Sequence, residues 1–308
     1  MAWLTGWSYR KPITISNAAT DYQTKITIYY GSGTDGDNYV YCNSHCKTDF
    51  GDIRFTKSDG TTLLDIWRES KTDSDNAVFW VQNDGAPQTS GYIYYGNSGA
   101  TYPYLSSELA HGEATFIFFD DFNAGNLNKW TGDTSYARIE SGICIVSGAS
   151  SAWRWIFSDT TIGATDFAVR AKLNHIAGDG GAGAATLDQA HKIVTYRYGP
   201  TPCILSRDGT TQSFVASNWA INAYKVFDYI ARGGLNSRFF QDGVECSNSP
   251  KTTNPPNSNS MRAALAAFGM DAIQCDWILL RKYMTTEPTF TFEAEQKAYA
   301  HTAGFIIG

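Results

Sequence analysis

The sequence predicts an all-β chain built as two antiparallel β-sandwich domains, on three observations. Short stretches of alternating apolar and polar residues recur along most of its length, the period-two signature of half-buried strands. Aromatic residues reach 14% while charged residues stay at 18%, and Gly, Thr, Ser, Asn and Asp fill the gaps between apolar runs. No alternation of strands with long helical patterns appears, which argues against a nucleotide-binding α/β sheet. At 308 residues the chain is long for one sandwich and comfortable for two, each able to bury a core without metal or disulfide staples.

The first block, residues 1–112, breaks into strands at Lys11–Ile15, Thr24–Tyr30, Tyr39–Cys42, Asp52–Thr56, Leu63–Arg68, Ala77–Gln82 and Gly91–Tyr95, a density that fits a β-sandwich. Its clearest stretch runs from Asp49 to Gly60. There Ile53 and Phe55 fall on one face, Asp52, Arg54 and Thr56 on the other, and Ser58-Asp59-Gly60 turns the chain back into Thr61–Leu64. Asp52, Arg54 and Asp59 read as polar groups of the scaffold rather than as a site. The Asp-rich turns 31–37 and 73–76 lack EF-hand spacing and read as solvated loops.

A polar connector from Gly96 to Gly112 holds a helix-like segment, Ser106–His111, that marks the domain boundary. Beyond it Phe116–Phe122 opens a second series over residues 113–290: Ala137–Ile139, Ile143–Val146, Trp153–Phe157, Phe167–Leu173, Lys192–Tyr198, Cys203–Ser206, Phe214–Ala216, Tyr224–Arg232, Leu235–Gln241, Met261–Phe268 and Trp277–Tyr283. That is a larger sandwich or jelly roll. The glycine-rich stretch 178–185 lacks the Lys-Ser/Thr and following helix of a phosphate loop, so it is either a flexible loop or a strand crossed closely by another backbone. Residues 291–308 form a separate C-terminal tail with some helical character over Phe292–His301, ending in the apolar Phe305-Ile306-Ile307.

Charge and cysteine usage narrow the function classes. A net charge of −6 and a pI near 5.3, with no run of Lys and Arg, argue against nucleic acid as a partner. No apolar run approaches the ~20 residues of a membrane span. The opening Met1–Trp7 carries no leader pattern, so either export is absent or a leader was trimmed. Asn-x-Ser/Thr acceptors are absent, so nothing points to a glycosylated eukaryotic ectodomain. The six cysteines are too sparse for a disulfide-built scaffold, and Cys42 with Cys46 is the candidate disulfide across a short loop. His45 beside them lacks the second Cys/His pair of a structural zinc site.

Four motifs in order, Trp7–Ile15, Asp49–Thr56, Ala77–Val81 and Tyr92–Asn97, resemble DUF2341, a domain of unknown function found in surface-exposed and phage-like proteins of archaea and bacteria; the resemblance covers about residues 7–103. The second block resembles the concanavalin A-like lectin/glucanase (LamG-like) jelly roll. This rests on Phe119-Asp120-Asp121-Phe122 with Trp130, and on the closing Cys275–Tyr283 with Glu287-Pro288. The resemblance implies recognition at a surface, usually of glycans, and it supplies no catalytic residues.

Candidate sites follow. Asp120 and Asp121 on the first strand of the second block, with Asp276 on the last, are candidate ligands for a structural Ca2+, since terminal strands of a jelly roll lie side by side and hard oxygens suit calcium. The resemblance to calcium-binding LamG-like modules adds to that. The plainer reading gives these aspartates backbone hydrogen bonds at strand ends. Trp153 and Trp155 share one face of a strand, either as a platform for sugar rings or as core packing. Trp219, flanked by Asn218, Asn222 and Tyr224, reads as a loop-borne carbohydrate-binding group, with Arg197, Tyr198 and Arg207 on the same side. A glycosidase of this class needs two carboxylates roughly 5–9 Å apart, usually on one strand. No strand offers that spacing, and no Gly-x-Ser-x-Gly elbow or triad pattern occurs.

The expectation is therefore a non-catalytic surface or virion recognition protein, extracellular, that binds a glycan or cell-surface polysaccharide through its second sandwich. The alternatives are a structural subunit of a filament, tail or surface layer that self-associates, and a glycoside hydrolase or polysaccharide lyase.

Overall fold

The computed structural model describes residues 2–83, 85–148, 152–176, 179–198, 201–209, 211–216, 222–269 and 272–298. The chain is almost entirely β with antiparallel sheets. It divides into two compact units, Met1–Thr115 with Thr286–Gly308, and Phe116–Thr285.

The first unit supplies β1 (Tyr9–Ser16), β2 (Tyr22–Tyr29), β3 (Tyr39–Tyr41), β4 (Arg54–Lys57), β5 (Ile66–Thr72), β6 (Asn76–Asn83), β7 (Ser90–Tyr95) and a short helix α1 (Glu108–Thr115). One sheet runs in the order β3, β2, β6, β5, with β2 and β3 parallel; in the other, β1 and β7 stand side by side with β4 at the edge. Ile13, Ile15, Ile26, Ile28, Phe55, Phe79 and Ile93 close the core between them. Ile53 and Phe55 enter that core as their alternation requires. The opposite face of the strand is buried as well. Asp52 accepts the backbone N–H groups of Lys47 (3.0 Å), Gly96 (2.7 Å) and Asn97 (3.1 Å), while Arg54 lies 3.8 Å from the Tyr104 ring centroid and donates to the carbonyls of Gly51, Ile53 and Thr101. Asp59 holds the exposed turn by accepting from the N–H groups of Thr61 and Thr62.

Helix α1 overlaps the expected Ser106–His111 segment, starting at Glu108 and running on to Thr115, with the Ser107 hydroxyl accepting the Ala110 N–H at its start. His111 is fully buried. Its Nε2 accepts the N–H groups of Tyr104 and Leu105 and its Nδ1–H donates to the Ile66 carbonyl, which fixes a neutral ring; burial pulls its pKa down to about 4. Cys42 and Cys46, the candidate disulfide, are free thiols packed into the first core, with the Cys46 side chain hydrogen-bonding that of Cys42. Burial pushes the Cys42 thiol well up, so the pair behaves as two small apolar residues. Alkylation of the unfolded, unreduced protein is accordingly expected to label all of its cysteines; a mass lower by two labels, mapped to the peptide carrying Cys42 and Cys46, would show a bridge instead.

The second unit supplies β8 (Phe118–Asp120), β9 (Trp130–Gly132), β10 (Ala137–Glu140), β11 (Ile143–Ser147), β12 (Trp153–Ser158), β13 (Phe167–His175), β14 (Asp179–Ala185), β15 (Lys192–Tyr198), β16 (Thr201–Asp208), β17 (Thr211–Ala216), β18 (Lys225–Arg232), β19 (Asn236–Gln241), β20 (Val244–Glu245), β21 (Arg262–Phe268) and β22 (Ala272–Lys282). One sheet has the order β10, β11, β22, β13, β18, β19, β20, with β8 also on β22; the other runs β17, β16, β15, β14, β21, β12, β9. Phe167, Val169, Leu173, Ile156, Ile193, Ile204, Leu265 and Ile278 fill the space between them. The glycine-rich stretch is strand β14. At Gly183, with φ +149°, a Cβ would stand 2.2 Å from the Ile193 carbonyl oxygen, so this strand is crossed as closely by its neighbour as the second sequence reading required.

The C-terminal stretch departs from the expected tail. β23 (Thr289–Phe292) and β24 (Gln296–Lys297) return to the first unit, where both pair antiparallel with β1 and Phe290 enters the first core. The stretch Phe292–His301, expected to have some helical character, carries no helix among its described residues and holds β24 instead. The first unit is thus assembled from both ends of the described chain.

Candidate functional site

The outward face of the sheet that carries β12, β21, β14 and β15 is unusual for its large aromatics over small residues. Trp155, Phe157, Val194, Tyr196, Leu205, Ala264 and Ala266 form a cluster of their own, apart from the inter-sheet core, with Trp153 packed against it. The Trp153 and Tyr196 rings meet at 4.8 Å, and Trp155 stacks on Phe157 at 5.9 Å. Gly181 makes this possible, since a Cβ there would stand 2.5 Å from the Tyr196 ring. Trp153 and Trp155 therefore share a face, as the alternation requires. That face is not the inter-sheet core, yet Trp155 is only 3% exposed and Trp153 half-buried, so neither indole forms an open platform.

Beside this face lies a cleft of about 500 Å³ lined by Thr161, Thr186, Leu187, Asp188, His191, Ser258, Ser260 and Arg262. The β14–β15 turn builds one wall. The Asp188 Oδ1 accepts both the Thr186 hydroxyl (2.6 Å) and the Ala190 N–H (3.0 Å), which holds the carboxyl below its usual range and keeps it ionised. His191 sits at the end of the turn with Nδ1 2.6 Å from Asp208 Oδ1, and the same oxygen accepts the Asn257 N–H, tying down the loop that carries Ser258 and Ser260. Arg262 opens β21 and donates from Nη1 to the Ser158 carbonyl at 2.6 Å. Hydroxyls, a fixed carboxylate and a guanidinium around one exposed leucine can meet a polyol through paired donors and acceptors with one apolar contact.

The residues singled out from sequence do not gather in this cleft. Tyr224 is 39% exposed and donates to Gln274 Oε1 at 3.2 Å, near Lys172 and Asn174 on the other sheet of the second unit; Asn222, with φ +57°, precedes it and donates from its backbone to the His175 carbonyl. Asn218 and Trp219, and the side chains of Arg197 and Tyr198, lie outside the described residues. The three aspartates expected to share calcium are also dispersed. β8 does lie beside β22, with Asp120 opposite Ile278, but the Asp120 carboxylate accepts the Trp130 indole N–H (2.7 Å) and the Phe122 N–H (2.8 Å). Asp121 accepts the Asn123 N–H, and Asp276 pairs with Lys172 at 2.6 Å. Strand-end hydrogen bonds and an ion pair engage each of these carboxylates, and among the described residues no group of three or more His, Cys, Asp or Glu is placed to hold a metal ion. Asp188, Ser258 and Arg262 escaped the sequence reading; the signal that could have found them is Thr186-x-Asp188 at a strand end, an Asx-type turn that exposes a carboxylate.

Comparison with known proteins gives a partial family match. The family model of DUF2341, a domain of unknown function, matches residues 49–133, later in the chain than the span read from the four motifs. The uncharacterized protein MJ1472 of Methanocaldococcus jannaschii is 25% identical over 309 residues, covering 89% of this chain and 53% of its own length. The chain thus spans about half the length of the curated relative it matches. Among solved structures, the carbohydrate recognition domain of Emp47p (12% identity, TM-score 0.41) covers 54% of this chain and 94% of its own. A Bacillus licheniformis β-glucanase (12%, 0.41) covers 54% and 98%, and the exoplasmic/lumenal domain of VIP36 in a Ca2+/Man-bound form (12%, 0.41) covers 54% and 88%. No helix among the described residues is long and apolar enough to cross a membrane.

Proposed function

We propose that the second unit recognises carbohydrate in the cleft bounded by Thr186, Asp188, His191, Ser258, Ser260 and Arg262, and that the protein serves as a recognition component at a cell or virion surface. The observation that carries this reading is the lining itself: a carboxylate fixed by two hydrogen bonds, a guanidinium and several hydroxyls converge on a space of about 500 Å³. A neutral apolar ligand would strip water from the donor and acceptor sites these groups still have, at a cost of ~1–3 kcal/mol each, whereas sugar hydroxyls replace that water. The LamG-like character of this unit belongs to the same reading; Asp120, Asp121 and Asp276 are not placed together to hold a Ca2+, so calcium enters only as a condition of the test. A glycan array probed with the full chain, with and without calcium, tests it. Binding that falls at least about tenfold in Asp188→Ala is expected. Retention of no glycan under either condition defeats the proposal, and binding insensitive to a chelator removes the calcium.

A further inference from the structure

Three cations of the second unit stand in one row across adjacent strands. Ala185 on β14 is opposite Arg262 of β21 on one side and opposite Lys192 of β15 on the other, and Lys192 is in turn opposite Arg207 of β16. Directly opposed residues of a sheet project from the same face. Alternation from Ala264, Val194 and Leu205 puts this row on the outward face, where Arg262 also lines the cleft.

The middle of the row is the telling position. Lys192 is 93% buried by its 7% exposure, and its Nζ lies 5.2 Å from the Trp155 ring centroid. Among the described residues no carboxylate pairs with it. Burial first, and repulsion by Arg207 second, bring its pKa to about 8. The two guanidiniums flanking it are not neutralised either: the Nε of Arg207 donates to the Gly209 carbonyl and the Nη1 of Arg262 to that of Ser158. The carboxylates of the neighbouring turn are engaged elsewhere, Asp208 with His191 and Asp188 with Thr186 and Ala190. Like charges opposed on a sheet repel, and a buried ammonium without a counterion is costly. A fold that keeps both leaves a place for an anion brought from outside. The net charge of −6 repels polyanions at long range, so such recognition has to come from this local row.

We infer that the Arg262–Lys192–Arg207 row binds an anionic group on a sugar, the carboxylate of a hexuronate or a sulfate ester, so that the glycan taken by the adjoining cleft is an acidic one. This rests on the carbohydrate reading of the cleft. Titration calorimetry with the full chain compares a neutral oligosaccharide, a hexuronate oligosaccharide and a sulfated one of equal length, chosen from the array hits and their acidic or neutral counterparts. At least one acidic ligand is expected to bind about tenfold or more tightly than its neutral counterpart. Lys192→Met and Arg207→Gln are expected to abolish that preference while leaving neutral binding in place, and Lys25→Gln, on an exposed position of β2, to change neither. Which acidic ligand is preferred assigns the carboxylate or the sulfate. Equal binding of acidic and neutral ligands, or a preference that survives Lys192→Met in a variant that melts cooperatively, overturns the inference and leaves the carbohydrate reading standing. Absence of binding by every ligand overturns both.

Discussion

Asp52→Ala is expected to destabilise the first unit by roughly 3–5 kcal/mol, enough to be seen as an early separate transition on heating. The carboxylate has no solvent exposure and its two oxygens accept three backbone N–H groups, from Lys47, Gly96 and Asn97. Removing it strands three backbone donors at half-buried positions, Lys47 in one loop and the consecutive Gly96 and Asn97 in another, so no single shift re-satisfies them. Asp52→Asn keeps the volume but turns one acceptor into a donor aimed at N–H groups, and the loss is expected to remain large. Asp59→Ala, a few residues on in the same motif, is the contrast: its two accepted bonds lie in an exposed turn where water replaces them, and only a small shift is expected. Melting curves of the three variants decide the matter; equal shifts for Asp52→Ala and Asp59→Ala would show that the buried cradle does not hold the unit together.

Lys192→Met is expected to act in the opposite direction and stabilise the second unit by roughly 2–3 kcal/mol at neutral pH. Methionine keeps the stem over Trp155 and removes an ammonium that burial and Arg207 disfavour. The pH dependence identifies the cause. The folded pKa, about 8, lies below the ordinary 10.5, so between those values the unfolded chain holds the proton that the native state has released, and the Lys192 contribution makes the wild type more stable as pH rises. The advantage of Lys192→Met is therefore largest below pH 8 and shrinks toward pH 10.5. Denaturant midpoints of the two proteins over pH 6–10 measure it; a difference that does not change with pH would mean that packing, not charge, separates them.

Much of the fold was legible in the residues. Alternation in the Asp49–Gly60 stretch placed Ile53 and Phe55 in the core, and each strand read in the first block has its counterpart in the sheets. What the residues left open, as at β14, or missed were features whose cause is not local. β14 is rich in Gly and Ala, residues of low strand propensity, and becomes a strand because its neighbours need a thin backbone between them. The helical character expected of Phe292–His301 gives way because β1 supplies a partner strand for β24, which the local pattern does not show. The cleft was less legible than the fold. Tryptophans are what the sequence offers for stacking on sugars, but Trp155 packs against Phe157 and Tyr196, and the polar groups of the cleft come from the β14–β15 turn, a loop before β21 and the first residue of β21. The cation row is the extreme case. Arg207 and Arg262 are distant from Lys192 along the chain, so no run of basic residues announces a row that only the register of four strands creates.

The return of β23 and β24 to β1 has a consequence for how the protein is made. β1 is made before the whole of the second unit and its partners β23 and β24 after it, so everything through Thr285 separates them along the chain. At ~5–20 residues per second, that edge of β1 waits on the order of ten seconds without its partner, while the second unit can complete itself in the interval. A chain truncated after Thr285 and released should therefore carry a finished second sandwich and a first one still open along β1, a species exposed to edge pairing with another copy.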